Sequence, residues 1–263
     1  LKSAPISYVK WDYNRYITDM PRSGFNHEYT LGMYRVTEEI TKAVPEVLFE
    51  GCSGGGGRFD AGILCYMPQI WTSDNTDPIE RVYIQYGTSF GYPTSTMGSH
   101  VTASPNHYTA RKPSMKTRGD IALSGNFGYE LDITTLSKDD LDAIKLQVEE
   151  CKKIRSLVQY GDFYRLADPF CGNIGAWQIV TEDKSESFFC AARILFKSNV
   201  YFPIIKLDGL EEGALYKDEY TDKIYSADEL MYRGAFIDFP HGDFATYTMH
   251  LKKCRMQSAK RRV

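Results

Sequence analysis

The chain has 263 residues with a formal net charge of −3, a length sufficient for one large domain or two modest ones. The slightly acidic balance argues against a nucleic-acid partner, and no apolar run reaches the length that a membrane helix needs. Aromatic residues make up 14% of the chain, which favours a soluble protein with aromatic-lined clefts for small molecules.

The first part of the chain alternates strand-like and helix-like segments. Strands are predicted where short apolar runs end in polar residues, and helices where apolar residues recur at helical spacing. The predicted strands are 6–12, 47–50, 70–74, 95–100 and 126–130, and the predicted helices are 29–43, 78–86, 115–123 and 138–157. This spacing is typical of βα units around a parallel sheet.

After Gln159 the pattern changes to short alternating runs separated by turn residues. The predicted strands are 163–166, 176–180, 187–196, 201–205 and 244–251. We therefore place a boundary after residue 158, with an α/β unit over 1–158 and an antiparallel β-sandwich domain over 159–263. The basic run in the C-terminal tail, from Lys252 to Arg262, is interpreted as a solvated terminus.

About five βα units are too few to close a (β/α)8 barrel. The predicted strands nevertheless place polar residues at their carboxyl ends, where such barrels hold their active sites. We therefore interpret residues 1–158 as the last five units of a barrel. The chain begins at Leu1 rather than at Met, and we expect it to continue a longer protein.

Two predicted strand ends each present an aspartate close to a tryptophan. Asp12 follows Trp11, and Asp74 follows Trp71. Two carboxylates on neighbouring strand ends are what glycoside hydrolysis requires, one as nucleophile or base and the other as acid. The alternatives are a structural salt bridge for Asp12 and a cap of the following helix for Asp74.

Between these strand ends lies the run Gly54 to Gly57. No Gly-Lys-Ser/Thr follows it and no dinucleotide-binding register fits, so a phosphate site is disfavoured. A tight turn is one interpretation of the run. Close approach of the backbone to a ligand is the one that we favour, because glycine has no Cβ to keep a sugar ring away.

The six cysteines lie far apart, without a CxxC pair or a histidine at metal-binding spacing. They predict reduced thiols in a cytoplasmic protein, and the sequence predicts neither a metal site nor a cofactor.

Three segments carry a resemblance to a known family. They are 10–15 (KWDYNR), 49–60 (FEGCSGGGGRFD) and 71–77 (WTSDNTD), and the likeness continues through 85–89, 125–132 and 158–162. Together they resemble the α-galactosidases of glycoside hydrolase family 36 over nearly the whole chain. The resemblance implies the later strands of a (β/α)8 barrel followed by a C-terminal β domain. A small departure is Gly51, which stands where a serine is common in the family.

The resemblance also implies roles for individual residues. Asp12 would be the nucleophile and Asp74 the acid/base of a retaining double displacement. The residues implied to bind galactose are Lys10, Asn14, Cys52, Gly54 and Trp71. The acidic pair and the arginine that bind further galactose hydroxyls in the family belong to earlier barrel strands than this chain contains.

The resemblance predicts hydrolysis of terminal α-D-galactosyl residues in melibiose or raffinose-type sugars, by an enzyme that often assembles as a homotetramer. Two alternatives stay open. One is a relative that transfers galactose or acts on N-acetylgalactosamine, and the other is an inactive half-barrel that serves as a sugar-binding or structural module.

Overall fold

The structure, a computed structural model, describes residues 1–14, 17–199 and 202–254. The basic tail beyond Cys254 and the first residue of the strand predicted over 201–205 therefore lie outside the described residues. Four helices have bounds close to those predicted: α1 Phe25–Ala43, α2 Pro78–Thr88, α3 Met115–Ala122 and α4 Lys138–Tyr160.

Capping side chains set the start of three of these helices. Asp77, Ser114 and Ser137 each accept hydrogen bonds from backbone amides of the first helical turn. Helix α1 differs, because it begins four residues before the predicted start and its N-cap is Gly24. An ion pair between Arg22 and Glu28 spans this added turn, which the spacing of apolar residues does not reveal.

Five parallel strands form one sheet in the order β1-β2-β3-β4-β5. Their bounds are β1 Tyr8–Asp12, β2 Leu48–Cys52, β3 Gln69–Trp71, β4 Met97–Thr102 and β5 Asn126–Glu130. Every neighbouring pair is parallel and a helical segment joins each pair, so all five carboxyl ends lie at one edge. The predicted partial (β/α)8 barrel is confirmed. Strand β3 is shorter than predicted and ends at Trp71, three residues before Asp74.

The two faces of this sheet differ in chemistry. Phe49 and Ile70 are buried with Val44 and Val47 in an apolar cluster on one face. Because side chains alternate along a strand, Glu50, which follows Phe49 on β2, lies on the opposite face, where it is fully buried and ion-paired with Lys10. The face opposite the apolar cluster is therefore charged and polar.

An antiparallel sheet follows, in the order β11-β10-β13-β8-β7-β6, beside a two-stranded sheet of β9 and β12. The bounds are β6 Asp162–Ala167, β7 Ile174–Val180, β8 Glu186–Arg193, β9 Ile204–Ile205, β10 Leu215–Asp218, β11 Ile224–Ser226, β12 Ala235–Phe236 and β13 Ala245–Lys253. The predicted antiparallel β domain is confirmed. Strands β10, β11 and β12 were not predicted, because runs of two to four residues carry too little alternation to stand out from turns.

Apolar side chains join the antiparallel sheet to the helices of the first part. Trp177, Ile179 and Phe188 from the sheet are buried in one cluster with Ile79 of α2 and Ile154 of α4. This contact packs the β domain against the outer helices of the parallel sheet.

A buried histidine adds a charged contact at the same junction. His250 of β13 is 1% exposed, and its Nδ1 and Nε2 lie 3.0 Å from Oε1 of Glu150 and 2.6 Å from Oε1 of Glu186. Tyr220 donates a further 2.6 Å hydrogen bond to Glu150. Burial opposes protonation of His250, but the two carboxylates outweigh it and raise the pKa of the imidazole.

Within the described ranges, no helix is long and apolar enough to cross a membrane. All six cysteines are unpaired. The described part of the chain contains no group of three or more His, Cys, Asp and Glu side chains placed to hold a metal ion.

Candidate active site

Asp12 is the last residue of β1 and is exposed at the carboxyl edge of the parallel sheet. It is paired in register with Cys52, the last residue of β2. The side-chain amide of Asn14 donates a 2.8 Å hydrogen bond to Oδ2 of Asp12. Strands β1 and β2 therefore end side by side, and the carboxylate of Asp12, the amide of Asn14 and the thiol of Cys52 lie close together there.

The loop after β2, residues 53–57, is tied to the segment after β1. The amide of Gly54 donates a 2.6 Å hydrogen bond to Oδ1 of Asn14, and Ser53 Oγ donates one of 2.7 Å to the carbonyl of Tyr13. Gly54 has a φ of +57°, a left-handed conformation that glycine adopts without strain. Asn14 is thus held from both ends, between Asp12 and the glycine loop.

The glycine run is explained by close packing against the protein's own backbone. A Cβ on Gly55 would lie 2.6 Å from Cα of Ser73, one on Gly56 would lie 2.9 Å from the carbonyl oxygen of Thr72, and one on Gly57 would lie 2.5 Å from that of Ser53. Our preference for approach to a ligand is therefore wrong for these three glycines. The absent side chains of Gly55 and Gly56 allow the glycine loop to pack against the segment that carries Asp74, and that of Gly57 allows the loop to close on Ser53.

Asp74 is exposed in the loop between β3 and α2, and it does not cap that helix. The cap is Asp77, whose Oδ1 accepts hydrogen bonds of 2.8 Å from the amide of Ile79 and 3.2 Å from that of Glu80. Asp77 is fully buried and also accepts a hydrogen bond from Thr109. The capping interpretation of Asp74 is excluded, and its side chain stays exposed to solvent.

A buried arginine on α2 holds the Asp74 loop. Arg81 donates from Nη2 to the carbonyl of Ser73 at 2.7 Å and from Nε to the carbonyl of Asn75 at 2.9 Å. Its Nη1 donates to the hydroxyl of Thr72 and to the carbonyl of Gly98 at 3.1 Å. Burial lowers the pKa of Arg81 to about 10, and the guanidinium stays charged near neutral pH. Sequence reasoning missed this residue, although an arginine between Pro78 and Val82 of an amphipathic helix was a signal.

Lys10, Glu50 and Trp71 form the floor beneath the exposed aspartates. The Lys10 ammonium lies 3.7 Å from Oε1 of Glu50 and 4.2 Å from the ring centroid of Trp71. Trp71 is 2% exposed, with Arg81 and His100 against its ring at 4.1 Å and 4.6 Å. The structure therefore buries Trp71 under Lys10, where it orients the ammonium.

Glu50 was also missed from the sequence, because a single glutamate within an apolar strand looks like a surface residue. It is held by Tyr8 and by a 2.6 Å hydrogen bond from Gln69, both to Oε2. Its Oε1 accepts no hydrogen bond among the described residues and faces the charge of Lys10. A buried carboxylate thus supplies the counter-charge for the lysine of the site.

The thiol of Cys52 is held in its protonated form. Burial, together with a hydrogen bond to the carboxylate of Asp12, raises the pKa of Cys52 to about 11, although a backbone contact with Gly55 opposes the shift. A neutral thiol can donate to a carboxylate or to a sugar hydroxyl, and it is a weak nucleophile. Cys52 is therefore suited to binding and not to covalent chemistry.

Six of the seven predicted site residues lie at or near the carboxyl ends of β1, β2 and β3. Lys10 lies within β1, two residues before its last residue. Asp12 and Asp74 both contact the same glycine loop, one through Asn14 and Cys52 and the other through Gly55. Strands β1 and β3 are separated by one strand, so their axes are about 10 Å apart. The exposed side chains of Asp12 and Asp74 extend from or just beyond these strand ends beside the same loop, so both can reach one monosaccharide.

Comparison with protein families gives two matches. A model described as Melibiase matches residues 1–161, and a model described as Glycosyl hydrolase family 36 C-terminal domain matches residues 174–251.

Curated and solved proteins give matches of the same kind. The α-galactosidase AgaA of Geobacillus stearothermophilus is 50% identical over 260 residues, which are 96% of this chain and 36% of that protein. Alpha-galactosidase 1 of Pediococcus pentosaceus is 44% identical over the same shares. A crystal structure of a Geobacillus AgaA variant in complex with raffinose superposes with a TM-score of 0.92 at 48% identity, covering 96% of this chain and 36% of that one. The chain thus spans about a third of the length of these relatives.

Proposed function

Because the chain belongs to the melibiase family, glycoside hydrolase family 36, we propose that it carries both catalytic carboxylates of a retaining α-galactosidase. The observation that carries the proposal is the exposure of Asp12 and Asp74 at the same sheet edge, in contact with the same glycine loop. For a retaining mechanism we expect the two carboxyl groups to lie about 5–5.5 Å apart.

The reaction runs in two displacements. Asp12 attacks the anomeric carbon from the β face, the glycosidic C–O bond breaks, and Asp74 donates its proton to the departing oxygen. The product is a β-galactosyl ester of Asp12. Asp74, now a carboxylate, takes a proton from water as the water oxygen attacks the anomeric carbon. The ester bond breaks, and galactose leaves with its α configuration retained.

The remaining site residues bind the sugar. Lys10, Asn14, Cys52 and Gly54 surround the position that a galactose ring would occupy next to Asp12, and each offers a donor or an acceptor to a hydroxyl. The ammonium of Lys10 is oriented by Glu50 and Trp71, so we assign Trp71 a role through Lys10. The hydrogen bond from Asn14 to Asp12 holds the carboxylate in one orientation.

The substrate class follows from the relatives. AgaA and its neighbours are named α-galactosidases, and one of them was crystallised with raffinose. We propose terminal α-D-galactosides of the melibiose and raffinose type as substrates of the protein that contains this chain. We further propose a catalytic part over 1–158 and a β domain over 159–263, assembly as a homotetramer, and a cytoplasmic location, which six unpaired cysteines support.

The test is hydrolysis of an aryl α-galactoside by the intact protein and by its Asp12→Asn variant. We expect release of the phenol by the parent protein and none by the variant. Equal release by both would contradict the assignment, and no release by either would favour a sugar-binding module. The products formed from raffinose, with and without a sugar acceptor, distinguish hydrolysis from galactosyl transfer. Hydrolysis of an aryl α-N-acetylgalactosaminide tests for action on N-acetylgalactosamine.

A further inference from the structure

We infer that Arg81 is a positioning residue for the acid/base, because its guanidinium fixes the backbone on both sides of Asp74. The inference rests on the proposed function, since it gives Asp74 a proton to deliver. Arg81 itself is 4% exposed and lies on α2 beneath the loop, so it does not contact a sugar in the site.

The hydrogen bonds define the conformation of the loop. The carbonyl of Ser73 belongs to the planar peptide unit that precedes Asp74, and it accepts from Nη2 of Arg81 at 2.7 Å. The carbonyl of Asn75 belongs to the peptide unit that joins Asn75 to Thr76, and it accepts from Nε of Arg81 at 2.9 Å. With these two planes fixed, only the torsions between them and the side chain of Asp74 remain free.

The same guanidinium ties the loop to the sheet. Nη1 donates to the carbonyl of Gly98 on β4 at 3.1 Å and to the hydroxyl of Thr72. The ring of Trp71 lies 4.1 Å from the guanidinium carbon, which keeps the group in one plane. Lysine at this position would keep the charge, but three donors on one flexible nitrogen cannot serve acceptors spread in this way.

The chemistry supplies a readout that is specific for the acid/base. Departure of an alcohol, as in melibiose, requires a proton from Asp74, whereas departure of 2,4-dinitrophenolate does not. A misplaced Asp74 therefore slows formation of the galactosyl-enzyme from melibiose and spares its formation from the dinitrophenyl galactoside. A general loss of folded protein would lower both rates by the same factor.

The experiment compares kcat/KM of Arg81→Lys in the intact protein on these two substrates. A displacement of about 1 Å can cost on the order of 10²-fold, so we expect about a 100-fold loss on melibiose. On the dinitrophenyl galactoside we expect a loss of no more than about 3-fold, since no proton transfer is required there.

The matched control is Arg118→Lys. Arg118 is 6% exposed on α3, and its Nη1 donates to the carbonyl of Thr102 at 2.7 Å. Among the described residues it makes no direct hydrogen bond or ion pair to residues 72–77, which it reaches only through the hydrogen bond of Thr102 to Thr76. We expect this variant to show no difference between the two substrates. If Arg81→Lys does not fold, Thr72→Val decides, because it removes one acceptor of Arg81. It should show selectivity in the same direction, with about a 3-fold loss on melibiose and no loss on the dinitrophenyl galactoside.

Asp74→Ala distinguishes failure of the acid/base role of Asp74 from failure of the positioning role of Arg81. If this variant loses activity on both substrates equally, Asp74 is not the acid, and the proposed function fails together with the inference. If it shows the selectivity and Arg81→Lys and Thr72→Val do not, only the role of Arg81 is overturned. Selective loss in Arg118→Lys as well would also overturn it.

Discussion

Asn14 donates a 2.8 Å hydrogen bond from Nδ2 to Oδ2 of Asp12, and its Oδ1 accepts a 2.6 Å hydrogen bond from the backbone amide of Gly54. One neutral side chain thus connects the proposed nucleophile on β1 with the loop that follows β2. The carboxylate is aimed by an amide that is itself fixed, so its orientation depends on the glycine loop as well as on its own strand.

The first prediction concerns this connection. Replacing Asn14 by alanine should lower kcat/KM for an aryl α-galactoside by roughly 10- to 100-fold, since a hydrogen bond to a charged group contributes about 1.5–3 kcal/mol. The control is Asn26→Ala, because Asn26 lies on α1 and contacts neither aspartate. Steady-state kinetics of both variants provide the measurement, and equal activities would contradict the role of Asn14.

The second prediction concerns the contact between the glycine loop and the Asp74 loop. In Gly55→Ala the new Cβ would lie 2.6 Å from Cα of Ser73 and 2.9 Å from the amide nitrogen of Asp74, at a φ of +79°. We expect a loss of about 1–3 kcal/mol in the free energy of unfolding, because the strained backbone and the displaced loop both cost stability. Activity should fall further than stability alone explains, since Asp74 moves.

Gly87→Ala is the matched control for this change. Gly87 lies within α2 with nothing within 4 Å of its added Cβ and no positive φ, and alanine is the better helix former there. We expect unchanged activity and a free energy of unfolding that is equal or higher by about 0.5–1 kcal/mol. Denaturant unfolding measures both variants, and equal destabilisation by the two substitutions would show that the loop contact does not matter.

The sequence was sufficient to predict that Asp12 and Asp74 lie at one edge of a parallel sheet, because the signals for this arrangement are local. Asp12 and Asp74 follow strand-like runs, and parallel strands with helical crossovers bring their carboxyl ends to one edge. Deciding whether Asp74 or Asp77 caps α2 required the fold. Both precede Pro78. Asp77 is distinguished by its burial and by the hydrogen bonds that it accepts from the amides of Ile79 and Glu80.

Long-range contacts explain what the sequence did not reveal. The partners of Arg81 include Gly98, 17 residues away, and Tyr8 reaches Glu50 from 42 residues away, so neither contact leaves a spacing pattern. The glycine run illustrates the same limit. Its composition indicates that another group approaches the loop closely. Only the folded structure shows that this group is the backbone of Thr72 and Ser73.

The third prediction concerns the junction of the two parts of the chain. The folded-state pKa of His250 is raised by Glu150 and Glu186, against the effect of burial. Its contribution to stability is therefore complete below the ordinary pKa of 6.5 and is lost as the pH rises through the folded value. His250→Gln should thus destabilise the protein more at pH 6 than at pH 9, by about 3–5 kcal/mol at the lower pH, because it breaks a buried ion pair.

Unfolding free energies at the two pH values check this expectation, with the exposed His241→Gln as control. On the acid side the same cluster weakens for a different reason. Hydrogen bonds from His250 and Tyr220 outweigh burial and lower the pKa of Glu150 from 4.5 to about 2, so its contribution is lost as the pH falls through this range. A cost of His250→Gln that is independent of pH would contradict a charged imidazole at the junction.

The assignment of Asp12 as nucleophile is tested most directly by the anomeric configuration of an azide product. Asp12→Ala and Asp74→Ala are each incubated with 2,4-dinitrophenyl α-galactoside and sodium azide, and the galactosyl azides are identified by NMR. Azide in place of Asp12 attacks the β face of the substrate, so this variant should yield β-galactosyl azide. The Asp74 variant still forms the β-galactosyl-enzyme, which azide opens to the α-azide. An α-azide from Asp12→Ala, or a β-azide from Asp74→Ala, would contradict the account.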